Sequence, residues 1–413
     1  MVFPPAPKPH IAAIPRYVSG KSAEAAMAEY GIAEAIKMAS NECPFPPLPG
    51  VIQAITAAVA DSNRYGEHPA YELAAAFAAR VGVSAEQVAV GAGSVALLEQ
   101  IALAYAGPGD EVVYPWPSFI AYPQFTQLVG ATAITPRLRC EAIDVQEVLA
   151  AITPRTRLVL IANPNNPTST ALRTDELQRL VEGVPHTCLV VIDEAYREFV
   201  TGADVPDALE LLGDRPNVAI LRTMSKAQGL AALRVGFMIA HPDVVHAVDA
   251  CLIPFNVNSA AQAAAFAAFE QDEEIASRCR LIATWRDEGA QNLRRRGLGV
   301  PHSQGNFWWL AAGDASMRLG AALEQRGIVA RPSPVGVRVT VGLPHENNLF
   351  LAALDASLQN DPSLSADWSL ATGPDVIAAA EEIDELASAA HLTVEAARAA
   401  DRRTAQLAGQ PRS

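Results

Sequence analysis

The chain has 413 residues, half of them apolar and 18% charged, so it can bury a large core, and at about 150 residues per domain it should form two to three domains. With 45 acidic and 31 basic residues it carries −14 with histidine neutral, a balance that disfavours nucleic acid and anionic lipid as main partners. No window reaches the roughly 18 apolar residues of a membrane-crossing helix, and the Pro-rich start MVFPPAPKPH lacks a signal-peptide core, so secretion and membrane spanning are both disfavoured.

In chain order, 48–60 and 71–81 are Ala/Val/Ile-rich with helical spacing. A short apolar strand at 87–90 runs into Gly91-Ala92-Gly93-Ser94, after which helical spacing resumes over 95–106. The segments 111–114, 132–135, 157–162, 188–192, 218–221 and 236–240 are Val/Ile/Leu-rich runs without polar alternation, the pattern of strands buried on both faces. Strands of this kind separated by helices imply an α/β fold, a mostly parallel sheet inside three αβα layers, spanning about 48–250.

Beyond Pro254 the pattern changes to Ala-rich helices over 260–276 and 282–296, then strands at 306–311 and 338–341. That is a smaller α+β unit, which the segment before Asn41 should join. Arg294, Arg295 and Arg296 close a polar helix, where cations suit the dipole, and read as a solvated helix end rather than an anion site. From about Asp361 a linker composition, SLSADWSLATG, leads to two short Ala/Glu-rich helices at 376–389 and 394–407, read as a packing or oligomer-contact appendage. The expected layout is a joining segment at 1–45, a large domain at 46–255, a small domain at 256–360, and a linker with helical extension at 361–413.

Five scattered cysteines (Cys43, Cys140, Cys188, Cys251, Cys279) without a CxxC pair read as reduced, mostly buried thiols of a cytoplasmic protein. The histidines form no HExxH, and His241 and His246, five apart, fall on different helix faces, so no metal site is expected.

Chemistry gathers at the carboxyl ends of the strands, where open α/β sheets bind ligands. Gly91-Ala92-Gly93-Ser94 opens a helix and can aim the amides of Ser94 and Val95 at an anion, though such turns are common without one. Asn163-Pro164-Asn165-Asn166-Pro167-Thr168 is a rigid turn that can fix an amide side chain, or simply end a strand. Asp193-Glu194-Ala195-Tyr196 puts two carboxylates at a strand end, which is expensive unless a cation or a protonated ring nitrogen pairs with them. Thr223-Met224-Ser225-Lys226, with Arg234 eight residues on, gathers hydroxyls, an amine and a guanidinium into a phosphate seat with a reactive lysine inside it.

These segments, NPNNPTST, IDEAYREF, TMSKAQGLAALRVGF and GVRVTVG, together with ASNECPFPP, NRYGEHPAY and PFNVNSAAQ, resemble the pyridoxal-phosphate enzymes of the aspartate aminotransferase fold, more narrowly the histidinol-phosphate and aromatic aminotransferase family. The likeness runs from about Ile14 to Leu358. It implies that 46–255 binds pyridoxal 5'-phosphate, that Lys226 forms the Schiff base with it and moves the substrate proton in a ping-pong reaction, and that Asp193 pairs with the pyridine nitrogen. It further implies that Tyr196 and Asn166 hold the ring 3-oxygen, that Phe119 stacks on the ring, and that Ser94, Val95, Thr223, Ser225 and Arg234 hold the phosphate. Tyr65 would reach the phosphate of a neighbouring subunit in a homodimer with shared sites. Arg338 would clamp the substrate carboxylate, Arg331 would assist with a second anion, and Tyr17 and Asn306 would line the substrate side. Asn41 and Glu42 lie in the segment that approaches the site.

The sequence departs from the family pattern at Ser169 (NPTS for NPTG), Gln228 in SKAQG and Ala232 in GLAALR. The first, with the helix start GAGSVALLEQ and the strand around Asn306 and Trp309, resembles actinobacterial aromatic aminotransferases. The expected activity is transfer of an amino group from an L-amino acid, aromatic ones favoured, to a 2-oxo acid such as 2-oxoglutarate. Histidinol-phosphate transamination and decarboxylation of an amino acid phosphate are the alternatives on this fold. A cofactor-binding regulator is a further one, disfavoured because Lys226 is intact and no DNA-binding domain is evident.

Overall fold

A computed structural model of the protein describes residues 5–14, 20–68, 70–211, 213 and 215–365. Tyr17 and the expected helices at 376–389 and 394–407 lie outside the described residues. Seven strands make the main sheet: β1 (Val88–Gly91), β2 (Glu111–Val113), β3 (Thr132–Ile134), β4 (Thr156–Ala162), β5 (Leu189–Asp193), β6 (Val218–Thr223) and β7 (Gly236–Ala240). Their order is β1-β7-β6-β5-β4-β2-β3, with β7 antiparallel to both neighbours and the other pairs parallel.

Successive strand residues bury on opposite faces, so the sheet feeds two cores. Val159, Ile161, Val190, Ile192, Val218 and Ile220 pack on one side with helices α1 (Pro49–Ala60), α2 (Tyr71–Val81) and the later helix over 174–183. Leu158, Leu160, Val191, Ala219 and Leu221 pack on the other against α3 (Ser94–Tyr105), through Leu97, Leu98 and Ile101. This is the expected three-layer arrangement.

The run at 132–135 departs from expectation. β3 is the last strand of the sheet and Thr132 and Ala133 are exposed. The run reads Thr-Ala-Ile-Thr, and its two threonines suit an edge strand as readily as a covered one.

In the second half, the Ala-rich stretch divides at Glu270–Gln271 into α4 (Ser259–Phe269) and α5 (Asp272–Arg295), not near residue 280. Asn258 caps α4 by accepting from the Ala261 amide, and three acidic residues open α5 beside its positive end. Arg294, in the last turn of α5, donates to the carbonyls of Val300 and Pro301, and Arg296 pairs with Asp355, so this is a helix end as expected.

A three-stranded antiparallel sheet follows, with β8 (Phe307–Leu310), β9 (Arg331–Ser333) and β10 (Gly336–Thr340) in the order β9-β10-β8. The N-terminal segment joins this half: Ile36–Lys37 pairs in parallel with Ile328–Val329. The chain is still packed where a linker was expected. Leu364 is buried and Asp361 pairs with Arg318.

All five cysteines are free, but only Cys188 and Cys279 are buried, while Cys140 is exposed. Among the described residues no helix is long and apolar enough to cross a membrane, and no group of three or more His, Cys, Asp or Glu is arranged to hold a metal ion.

Candidate active site

β1 ends at Gly91, and α3 starts at Ser94 with Gly93 as its N-cap, φ 81°, and no side chain capping its first amides. A Cβ at position 93 would overlap the Arg234 guanidinium, and one at Gly236 would overlap the Ser94 amide. Glycine at these two places lets a guanidinium and a strand close in on an open helix start. The Ser225 amide donates to Thr223 Oγ1 (3.2 Å), the Thr223 hydroxyl donates to Ser225 Oγ (3.0 Å), and Arg234 Nη1 donates to the same oxygen (3.2 Å). Ser94, Thr223 and Ser225 are buried. Amides at a helix N-terminus, two hydroxyls and a guanidinium make an anion cradle.

Lys226 follows β6 and reaches across to the N-terminal segment, where its Nζ donates to the Ser40 carbonyl (2.9 Å) and lies 5.9 Å from the Tyr196 ring centre. Burial, followed by the charge of Arg338, lowers its pKa to about 7; Glu42 pulls the other way, and the smaller effects of Arg234 and Asp193 oppose each other. Asp193 ends β5, one strand away. Burial raises its pKa to about 6, opposed by the Ala195 amide, which donates to Oδ1 at 3.2 Å, and by Tyr122 and Lys226. The Tyr196 hydroxyl accepts from Asn41 Nδ2 (3.0 Å) and Asn166 Nδ2 (3.3 Å). An amine that loses its proton near neutrality thus shares a buried site with a carboxyl group that costs energy to ionise.

Arg338 enters from β10. Its Nη1 donates to Asn166 Oδ1 (2.5 Å), its Nη2 donates to the Ala39 carbonyl (2.6 Å), and its guanidinium lies 5.7 Å from the Phe307 ring centre. Phe307 meets Tyr196 edge-on at 5.0 Å. Arg331 stands opposite Arg338 in the β9–β10 register, and Asn306 is buried with Nδ2 donating to the Asn41 carbonyl (3.2 Å). Phe119 is partly buried and meets Tyr122 edge-on at 5.7 Å. Tyr65 makes its ring contact elsewhere: it is 81% exposed and stacked on Phe255 at 4.2 Å.

Two residues carry more than their motifs indicated. Asn41, 1% exposed at φ 52°, exchanges bonds with Thr340, Asn306 and Tyr196, so the N-terminal segment is the hub of the site. Its signal was its place in ASNECPFPP. Tyr122, fully buried against Asp193, had only its nearness to Phe119 in sequence to mark it. Gln228, one of the departures, donates to Glu198 (3.3 Å).

The chain belongs to the aminotransferase class I and II family, whose model matches residues 33–353. It is 52% identical over 316 residues to an aromatic amino acid aminotransferase of Thermobifida fusca (strain YX), covering 76% of this chain and 88% of that protein. It is 46% identical over 340 residues to an enzyme of the same name from Streptomyces coelicolor, covering 82% and 93%. Among solved structures, a histidinol-phosphate aminotransferase from Sinorhizobium meliloti in complex with pyridoxal-5'-phosphate superposes with a TM-score of 0.78 at 28% identity, covering 85% of this chain and 97% of that one.

Enzymes of this family depend on pyridoxal phosphate. The donor set here suits that group. The cradle over Gly93 has the chemistry for its phosphate, and the buried, reluctantly ionised Asp193 would be relieved by a cationic ring nitrogen.

Proposed function

We propose that this aminotransferase moves an amino group from an aromatic L-amino acid to a 2-oxo acid such as 2-oxoglutarate, with pyridoxal phosphate held on Lys226. The observation that carries the reading is the placement of Arg338: a guanidinium held by Asn166 and Ala39, above an aromatic ring, in the cluster that contains Lys226 and Tyr196. A two-pronged donor beside an apolar wall fits a carboxylate attached to an aromatic side chain. The names of the relatives at 52% and 46% identity support the same substrate class.

When bound, the cofactor supplies an aldehyde that captures amines and a cationic ring that accepts an electron pair from the substrate Cα. Lys226, deprotonated near neutral pH, holds the aldehyde and later carries the proton at Cα. Asp193 keeps the ring nitrogen protonated. Tyr196 and Asn166 hold the ring oxygen and Phe119 covers a ring face, while Ser94, Val95, Thr223, Ser225 and Arg234 hold the phosphate. Asn306 lines the substrate side. Residues 46–255 are the cofactor-holding unit in this reading, and 256–360, joined by the N-terminal segment, the smaller one. The reading includes a cytoplasmic homodimer in which Tyr65, exposed and stacked on Phe255, completes the partner's phosphate site.

A second reading, histidinol-phosphate transamination, is favoured by Arg331. Facing Arg338 across β9 and β10, it offers a second cation to a substrate with its own anion. The test is to mix cofactor-loaded enzyme with L-phenylalanine or with histidinol phosphate, without acceptor, and follow the visible absorption of the bound cofactor. Bleaching by phenylalanine alone is expected. Bleaching by histidinol phosphate alone would establish the second reading, and no bleaching by either would overturn both.

A further inference from the structure

After Asn-Pro-Thr the chain places Ser169, one of the departures noted from the family pattern. The residue is fully buried and its backbone is left-handed, φ 63°, a conformation that disfavours any side chain. Glycine would adopt it freely, so something the hydroxyl does must offset the strain.

Its bonds are specific. The Gly305 amide donates to Ser169 Oγ (2.8 Å), the two hydroxyls of Ser169 and Ser303 meet at 2.6 Å, and the Ser303 hydroxyl donates to the Phe307 carbonyl (2.7 Å). Since the Ser303 proton is committed to Phe307, the proton between the two serines belongs to Ser169. The result is a directed relay from Ser169 to Ser303 to the Phe307 carbonyl. The Gln304 amide, donating to the Ser169 carbonyl at 2.7 Å, closes the same seam.

The two ends of this relay lie beside two of the three supports of Arg338. Ser169 lies three residues past Asn166, which accepts from Arg338 Nη1, and Phe307 carries the ring beneath the guanidinium. One support belongs to the loop after β4 and the other to β8, far apart in sequence. We propose that Ser169 is a positioning residue for substrate binding: its hydroxyl relay fixes the spacing between Asn166 and Phe307 and so the direction in which Arg338 presents its guanidinium. The proposal rests on the reading of Arg338 as the carboxylate site.

The experiment uses the cofactor-loaded enzyme, its S169G and S303A variants and the double variant, with 3-phenylpropionate as an unreactive aromatic carboxylate. Glycine suits φ 63° but leaves the Gly305 amide without its acceptor, so the two effects offset and S169G should melt near the wild-type temperature and keep the bound cofactor's spectrum. Its Kd for 3-phenylpropionate and its KM for phenylalanine should rise about tenfold, the scale of one or two lost hydrogen bonds, with kcat within about twofold. S303A should do the same, and the double variant should lose no more than the worse single one, because both break one relay. A wild-type Kd in S169G, a lowered melting temperature with unchanged KM, or additive losses in the double variant would each overturn the proposal. If the wild-type enzyme itself fails to bind 3-phenylpropionate, the reading of Arg338 falls and takes this one with it. Wild-type binding with an unaltered S169G sinks this one alone.

Discussion

Asp193 shows how a single residue links stability to function. Its pKa is raised by burial to about 6 from the ordinary 3.8, so the folded protein binds the proton more tightly than the unfolded chain. Its contribution to stability is therefore complete below pH 3.8 and is lost as the pH rises through 6, on the order of 3 kcal/mol at most. Asp193→Asn should accordingly make the cofactor-free protein more stable than wild type at pH 7, with a gap that closes between pH 6 and 3.8. Added pyridoxal phosphate should stabilise the wild type more than the variant, because only the carboxylate gains a cation. Urea melts across this pH range, with and without cofactor, test the idea, and a gap independent of pH would refute the electrostatic origin. Asp193 and Lys226 were legible in sequence because they sit at or just past a strand end, and Arg234 because it lies eight residues beyond Lys226. The Asn41 hub was not, because Asn41 meets Thr340 across 299 residues, brought together by the pairing of Ile36–Lys37 with Ile328–Val329.

At the scale of elements, the carboxyl edge of β5 and β6 is tied by a buried ion cluster. Arg222, on β6, donates from Nε (3.1 Å) and Nη2 (2.7 Å) to Glu194 and from Nη2 (2.6 Å) to Asp207, and the Glu194 side chain is fully buried. Glu194 also accepts from the Ala208 amide (3.0 Å). Because Glu194 directly follows Asp193 and Arg222 lies four residues before Lys226, the cluster holds together the two strand ends that carry the candidate chemistry. Arg222→Met would leave the Glu194 charge buried and unpaired, so it should cost about 3–5 kcal/mol, and Arg222→Met with Glu194→Gln should recover part of that loss. Equilibrium unfolding in urea measures both. An equal loss in single and double variants would mean that packing of the arginine stem, not charge pairing, is what matters. The sequence had marked Glu194 only as a second carboxylate at a strand end. Strand identities were easier to read than helix limits, for a physical reason: β4, β5 and β6 need continuous apolar runs, whereas the break between α4 and α5 falls at Glu270–Gln271 with neither glycine nor proline to announce it.

For the whole molecule, the question is whether one chain makes a complete site. Tyr65 is the residue implied by the family likeness that stands apart from the cluster, 81% exposed on an aromatic step with Phe255 and His68. An isolated exposed leucine needs no explanation, but two exposed aromatic rings stacked on each other, Tyr65 and Phe255, are what the proposed contact with a second copy of the chain would cover. The proposed dimer can be tested by complementation between two crippled variants, Lys226→Ala and Tyr65→Ala, unfolded together and refolded or exchanged at equal concentration. If Tyr65 serves its partner's site, each mixed dimer holds one site with both defects and one with neither. Random pairing makes half of the dimers mixed, so activity should return to about one quarter of the wild-type level. If Tyr65 acts on its own chain, every site in the mixed dimer keeps one defect and nothing returns above the sum of the parents. Sedimentation of the wild type supplies the control, since a monomer at assay concentration would exclude the shared site whatever the mixing result.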